Sequence, residues 1–540
     1  MAVRENSKSW TKTKNGQYRQ QKCPAQWFEL RNWRIINLPK SSVYLIKLGE
    51  MKFSQSVKIA CLLFTLATTN VLAAHAAITV AEVAKGCAAS HSLFLKSDGS
   101  LWGMGPQNLG RLGDGTDFGN DSTNKPEEIV ASNVVAVAAG ATHSLFLKSD
   151  GSLWTMGFSE WGQLGLGTNW LAVKPMRVVS HGVVAIAAGD GFSLFLKSDG
   201  SLWGMGNNSL GQLGDGTFDN TNKPEKIVTW GVKAIAAGGG HSLFLKSDGS
   251  LWGMGDNSFG QLGDGTSSNN RNRPEEIVSP DGRCIAAERS HNHKSYNPHP
   301  RGRVVAIAAG GGFLGEGHSM FLKSDGSLWM MGANTRGQLG DGPFDGIRYM
   351  TNQPEQIVDS NVVAIAAGAL HSLFLKSDGS LWAMGDGNNG QLGDGTLGAA
   401  WQPEKIIASG VTAIAAGWDH SLFLKSDGSL WGMGYDGAGT LGDGFWFDGI
   451  SGVGPEQIWP RPQPVLTGVV SDNTNLQLTA PCGFGGDFCL LASTNLNQPN
   501  YLWTPIWTNT IRYRFANVFS ATLTNEVNSG NQQFYILQSR

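Results

Sequence analysis

The chain has 540 residues, 41% hydrophobic and 16% charged, and its 73 glycines with few helix-favouring runs point to an all-β protein with a large core. The formal charge of −2 hides an asymmetry: residues 1–50 carry ten Lys/Arg against three Asp/Glu, Lys52 and Lys58 follow, and about −11 is left after Ala76. An acidic body excludes nucleic acid held through a general basic face.

Residues 1–50 are basic, poor in Gly and free of the repeat that follows, and they are expected to be a leader absent from the mature product. Met51 then opens a secretory pattern over residues 51–76: Lys52 and Lys58 as a positive n-region, Ile59 to Ala67 as an apolar h-region, and Ala74-His75-Ala76 as a small-x-small cleavage site. The other reading is an uncleaved anchor over Ile59 to Val80, which Thr68, Thr69, Asn70 and His75 disfavour. Cys61 has no Leu three positions before it, against a lipoprotein anchor. The expected location is secreted, periplasmic or cell-surface, with membrane contact only through this segment.

From there to about residue 462 the sequence repeats. HSLFLKSDGSLW, seen at His241 to Trp252, recurs seven times, ending on Trp102, Trp154, Trp203, Trp252, Trp329, Trp382 and Trp431, in steps of 52, 49, 49, 77, 53 and 49 residues. A period near fifty means one supersecondary unit per repeat, stacked because no unit buries its own apolar face. Two short apolar runs broken by Ser247-Asp248-Gly249 spell a β-hairpin, with either a two-residue type I′ turn or a three-residue turn with a Gly bulge. As calcium sites the seven Asp-Gly turns are poor, since each supplies one carboxylate where Ca2+ takes six or more oxygens.

Each unit begins with a run such as Val362 to Gly368, suited to a buried inner strand, and continues after the Trp through a Gly-rich turn such as Asn257 to Gly265. It ends in a Pro-Glu-x-Ile-Val run such as Pro274 to Val278, where Pro at a strand start suits an outer edge. Four short strands per unit in seven units describe a propeller. The combination V-x-A-I-A-A-G, H-S-L-x-L-x-x-D-G, W-x-x-G and N-x-x-G-Q-L-G-x-G resembles the regulator of chromosome condensation repeat family, in its secreted bacterial type, over residues 80 to 460. The resemblance implies a seven-bladed β-propeller of four-stranded blades, placed here at residues 77–462.

Three departures stand out: a degraded inner run at Glu82 to Ala88, Leu166 in place of Asp, and Phe192 where the other blades have His91, His143, His241, His318, His371 and His420. One histidine per blade is too dispersed for Zn2+, and a structural hydrogen-bonding role is expected. Strand parity puts the first-to-second and third-to-fourth strand loops on one face. Those loops are rich in aromatics: Trp170, Phe344, Tyr349, Trp401, Trp418, Phe445, Trp446 and Phe447 are the candidate binding residues, with Phe118 and Phe218 beside them.

The opposite face receives the one large insertion, about Cys284 to Arg303, with five arginines and lysines and His291, His293 and His299 nearby. It reads as a solvated loop, with an anion contact or a histidine metal site as the functional alternatives. After Pro460-Arg461-Pro462-Gln463-Pro464, residues 463–540 read as a small C-terminal β-sandwich-like module with strands at Leu476–Thr479, Phe488–Leu491, Tyr513–Phe515, Ala521–Thr524 and Gln533–Leu537. Cys482 and Cys489 bracket a Gly-rich turn and form a possible disulfide, or two unpaired small core residues.

No phosphate loop, nucleophile–base motif or clustered metal ligands stand out, so no catalytic residue, metal or cofactor is assigned. The expected function is a non-enzymatic, monomeric scaffold binding a protein or surface glycan through its aromatic loops. Two alternatives remain. The resemblance allows guanine-nucleotide exchange on a small GTPase, and propellers can host an enzyme site in the central channel.

Overall fold

The computed structural model describes residues 79–116, 122–168, 170–286, 302–312, 315–342, 349–443 and 453–460, together with the strand backbones within 1–50 and 467–539. The chain divides into two compact units, Met1–Ala77 and Ile78–Arg540. In the first, Ala2–Arg4 pairs with Trp27–Glu29, Lys8–Lys12 with Tyr18–Lys22, and Trp33–Ile36 with Leu45–Leu48. The secretory pattern from Met51 lies outside the described residues. Among the described residues no helix is long and apolar enough to cross a membrane.

The second unit carries seven four-stranded antiparallel sheets, each with its strands in chain order. The chain therefore forms the expected seven-bladed propeller. Blade one runs from Val80–Val83 through Ser92–Lys96 and Leu101–Pro106 to Ser122–Val130, and blade seven from Val411–Ala416 through His420–Lys425 and Leu430–Gly434 to Glu456–Trp459.

The repeated hairpin settles on the three-residue turn. Leu245 faces Leu251, Lys246 N donates to Ser250 O at 3.0 Å, and Gly249 N donates back to Lys246 O at 3.0 Å. Gly249 takes φ +94°, where a side chain is strained, so glycine is required. Asp248 is a turn residue: its Oδ1 accepts from Ser250 N and Oγ at 2.9 and 2.6 Å, and Ser250 Oγ accepts the Trp252 indole N–H at 2.9 Å. Phe244 and Trp252 stack at 6.2 Å, and the Lys246 ammonium stands 4.0 Å over the indole.

Two devices join the blades. The first is polar. Ser319 Oγ of blade five donates to Gln261 O of blade four at 2.7 Å, so the bond from His241 Nε2 to the same Oγ, at 2.9 Å, has the ring nitrogen as donor. His91, His143, His318, His371 and His420 reach Ser144, Ser193, Ser372, Ser421 and Ser92 in the same way at 2.7–3.1 Å. At the seventh junction the buried Phe192 leaves Ser242 with its Gln212 O bond alone. The second device is apolar. The third-strand Met of each blade packs into the last glycine of the preceding Gly-x-Leu-Gly turn, so that a Cβ on Gly214 would overlap Met254 Sδ.

The ring closes by these devices, and among the described residues no strand is shared between the first and last blades. His420 meets Ser92, Ser92 Oγ donates to Thr440 O at 2.7 Å, and Gly442 receives Met104. Trp459 faces Leu430 where blades one to six have Val130, Val179, Val228, Val278, Val358 and Ile407, and its ring lies 5.8 Å from Trp102 of blade one.

Two expectations are corrected. Pro274 is not at a strand start but inside Arg271–Val278, within the register shift between Gly253 and Gly255, where a missing N–H also costs little. In the C-terminal module the strands order as Thr467–Val470, Asn475–Ala480, Phe519–Thr524 and as Thr504–Ile511, Gly486–Ser493, Phe534–Ser539. Thr467–Val470 and Thr504–Ile511 are strands that the expected set lacks, and the strand expected at Tyr513–Phe515 lies outside the described residues. Cys482 lies outside the described residues, so the proposed disulfide does too.

Replacing Gly379 by Val should lower unfolding stability by about 2 kcal/mol or more, read by denaturant titration, because φ is +77° there and a Cβ would sit 2.8 Å from Gly410 N. Acid should act through the histidines. Burial lowers their pKa from 6.5, to about 3 for His143, His318 and His371 and about 4 for His241 and His420, so the unfolded chain binds their protons first. Stability is complete above pH 6.5 and falls below it, by at most about 1.4 kcal/mol per histidine at pH 5.5. Asp419, raised to about 6, acts in the opposite sense and offsets roughly one of them. His143→Phe, copying blade three, should flatten the pH dependence between 6.5 and 5 in thermal unfolding.

Candidate functional surface

The loops that follow the first and third strands place side chains over one end of the ring. Trp170 is 57% exposed with its edge against Phe158, the centroids 6.0 Å apart at 85°. Tyr349 is 54% exposed. Trp401 and Trp418 are half-buried: Trp401 packs across Gly337 of blade five, and the Trp418 ring lies 2.9 Å from where a Cβ on Gly312 would stand. That second contact joins blade seven to the long loop of blade five. Phe344, Phe445, Trp446 and Phe447, with Phe118, lie outside the described residues.

The residue before each Gly-x-Leu-Gly turn adds an apolar arc that sequence reasoning missed. It is Leu109, Trp161, Leu210 and Phe259 in blades one to four, then Arg336, Asn389 and Ala438 in blades five to seven. Trp161 is 43% exposed, and Phe218 on the neighbouring blade is 49% exposed. Superposing the seven repeats at that column is the signal that would have found it.

Charge on this face follows burial. The Asp419 carboxyl is pushed up to about 6 by burial and by Asp386, and burial also raises Asp190. Arg111, in the place of the usual Gln, is buried; its guanidinium donates to Ser90 Oγ at 2.7 Å, Ala141 O at 3.2 Å and Asn108 O at 3.0 Å, and burial lowers it to about 10.

The segment from Val80 to His91 is two residues longer than Val134 to His143. It takes Cys87 across to blade four, its Sγ 3.9 Å from Ala237 O. Burial pushes this thiol up to about 12, an unreactive state. Among the described residues no three His, Cys, Asp or Glu converge as a metal site.

On the opposite face, Cys284 pairs with Val278 in an antiparallel bridge, so the insertion begins as a return on the outer strand of blade four despite its resemblance to an inner strand. Arg283 pairs with Asp281 at 3.0 Å. His291, His293 and His299 lie outside the described residues.

Comparison with known proteins follows this geometry. A model of the RCC1-like domain matches residues 67–295, and models of the regulator of chromosome condensation (RCC1) repeat match residues 304–338, 325–375, 362–391, 378–424 and 411–440. Protein RCC2 of Homo sapiens is 30% identical over 157 residues, 28% of this chain and 27% of that protein. The chain thus spans about a quarter of the length of the curated relatives it matches. Human WBSCR16 superposes with a TM-score of 0.53 at 25% identity, over 65% of this chain and 87% of that one. Prp20p of Saccharomyces cerevisiae, in a structure concerned with its binding to Gsp1p and histones, gives 0.56 at 22%, over 69% and 90%, which is a likeness of fold. The matched repeats and the blade count agree: the chain belongs to the regulator of chromosome condensation (RCC1) repeat family.

Proposed function

We propose that this propeller is a non-enzymatic binding scaffold whose partner, a protein or a surface glycan, docks on the aromatic loop face. The observation that carries this reading is the exposed apolar set Trp161, Trp170 and Phe218 on neighbouring blades two and three, continued by Leu210 and Phe259. Large rings on loops held by a rigid ring offer contact area at low entropic cost. The secretory pattern at Met51 to Ala76 supports a place outside the cytoplasm, and the chain is proposed to act as a monomer.

A second reading has its own support. Prp20p, similar in fold, is described by its binding to Gsp1p and histones, and a relative in Caenorhabditis elegans, 40% identical over 81 residues, is named as a GTPase regulator homolog. Regulation of a small GTPase would require a cytoplasmic or nuclear protein, which cell fractionation decides.

Capture of partners from envelope and extracellular material by wild type and by Trp161→Ala/Trp170→Ala should differ, with retention falling at least tenfold for the variant, as a loss of about 1 kcal/mol or more at each of two aromatic anchors implies. Equal retention would sink the binding-face reading. Acceleration of GDP release from a small GTPase by the purified propeller would favour the second.

A further inference from the structure

Seven repeats allow each position of the loop face to be compared within one chain. The residue two places before the second strand is Ala89, Ala141, Asp190, Gly239, Glu316, Ala369 and Trp418 in blades one to seven, and Asp419 follows the last of these. Two of the three carboxylates are answered from within the fold. Glu316 accepts the Thr335 hydroxyl at 2.7 Å, and Asp419 is hydrogen-bonded by the Asn389 side chain. Asp190 differs: it is half-buried, and among the described residues neither a hydrogen bond nor an ion pair reaches its carboxylate.

An exposed indole stands beside it. A Cβ on Gly191, the next residue, would lie 2.8 Å from Cδ1 and 3.5 Å from Nε1 of Trp161, which blade two brings across the cleft. Trp161 is the one indole ahead of a Gly-x-Leu-Gly turn, and Glu160 before it is exposed. Burial without a counter-charge holds the Asp190 carboxyl above its ordinary range, a cost that an incoming cation removes. The preceding cleft shows the chain meeting the same column with a cation of its own. There Arg111 donates to the carbonyl of Ala141, the counterpart of Asp190, at 3.2 Å, whereas Gln163 takes Arg111's place between blades two and three.

We propose that Trp161 and Asp190 together receive an arginine side chain of a partner polypeptide. The guanidinium lies on the indole and donates to the carboxylate, while Trp170 and Phe218 take the partner's apolar neighbours. Arginine fits better than lysine because its planar fork stacks and donates at once. A neutral sugar would cover the indole and leave the carboxylate without a counter-charge. The charge of about −11 after Ala76 draws a basic segment towards the propeller. This inference rests on the loop-face reading and narrows its partner to a polypeptide that presents arginine.

The test titrates the full chain, with its tryptophans 15N-labelled, with acetyl-Leu-Arg-Leu-amide and with its neutral citrulline twin. The arginine peptide should bind saturably, shift the Trp161 indole signal and bind about tenfold more tightly than the twin, or better. Asp190→Asn, at a carboxylate that bonds to nothing in the fold, should bring the two peptides to equal affinity, whereas Asp419→Asn should change neither. No saturable binding, equal affinity of the two peptides for wild type, or an equal loss in Asp419→Asn would each overturn the proposal. So would a dimer in solution that Asp190→Asn dissociates, which would give the site to a second copy. Should Asp190→Asn fail to fold, the two peptides on wild type decide. If Trp161→Ala/Trp170→Ala loses the captured partner and folded Asp190→Asn keeps it, the loop-face reading stands and the arginine assignment falls.

Discussion

A buried histidine that donates to the serine of the next blade sets the geometry on which the rest of this molecule depends. Its bond is directional, so it fixes the approach of one sheet to the next, while the methionine seated in a facing glycine fixes their separation. Because both devices come from the repeated text, the seven junctions are nearly alike, and His420 with Ser92 shuts the ring as the others join its blades. The junction after blade three, with Phe192, keeps the packing and loses one hydrogen bond. Phe192 fills its site and leaves Ser242 a partner, so no buried polar atom is orphaned there.

That division of labour separates frame from function. The Trp–Ser–Asp relay of each hairpin and the Lys over each indole are used up in holding the turns and the blade edges. What is left for recognition is where the copies disagree. On the loop face the residue ahead of the turn is large and apolar over blades one to four and is Arg336, Asn389 and Ala438 beyond.

The two functional readings pull on different parts of the chain. The proposed scaffold draws on the apolar arc of the propeller and the secretory pattern before it, whereas the likeness to Prp20p is one of fold. Family membership is compatible with both, since a propeller is a platform whose activity resides in its loops.

The sequence by itself determined the blade count, the four-strand order and the structural use of the histidines, because these follow from short-range patterns repeated seven times. It also placed the aromatic loops on one face through strand parity. Only the tertiary structure decided the rest. The turn type depended on a hydrogen bond pair at Lys246, and the position of Pro274 on a bulge opposite Gly253 and Gly255. The burial of Trp401 and Trp418 depended on glycines 64 and 106 residues away in sequence, and the reach of Cys87 on a blade 150 residues away. Those are contacts between repeats, set by the curvature of the closed ring, and no local pattern encodes which residue meets which across it.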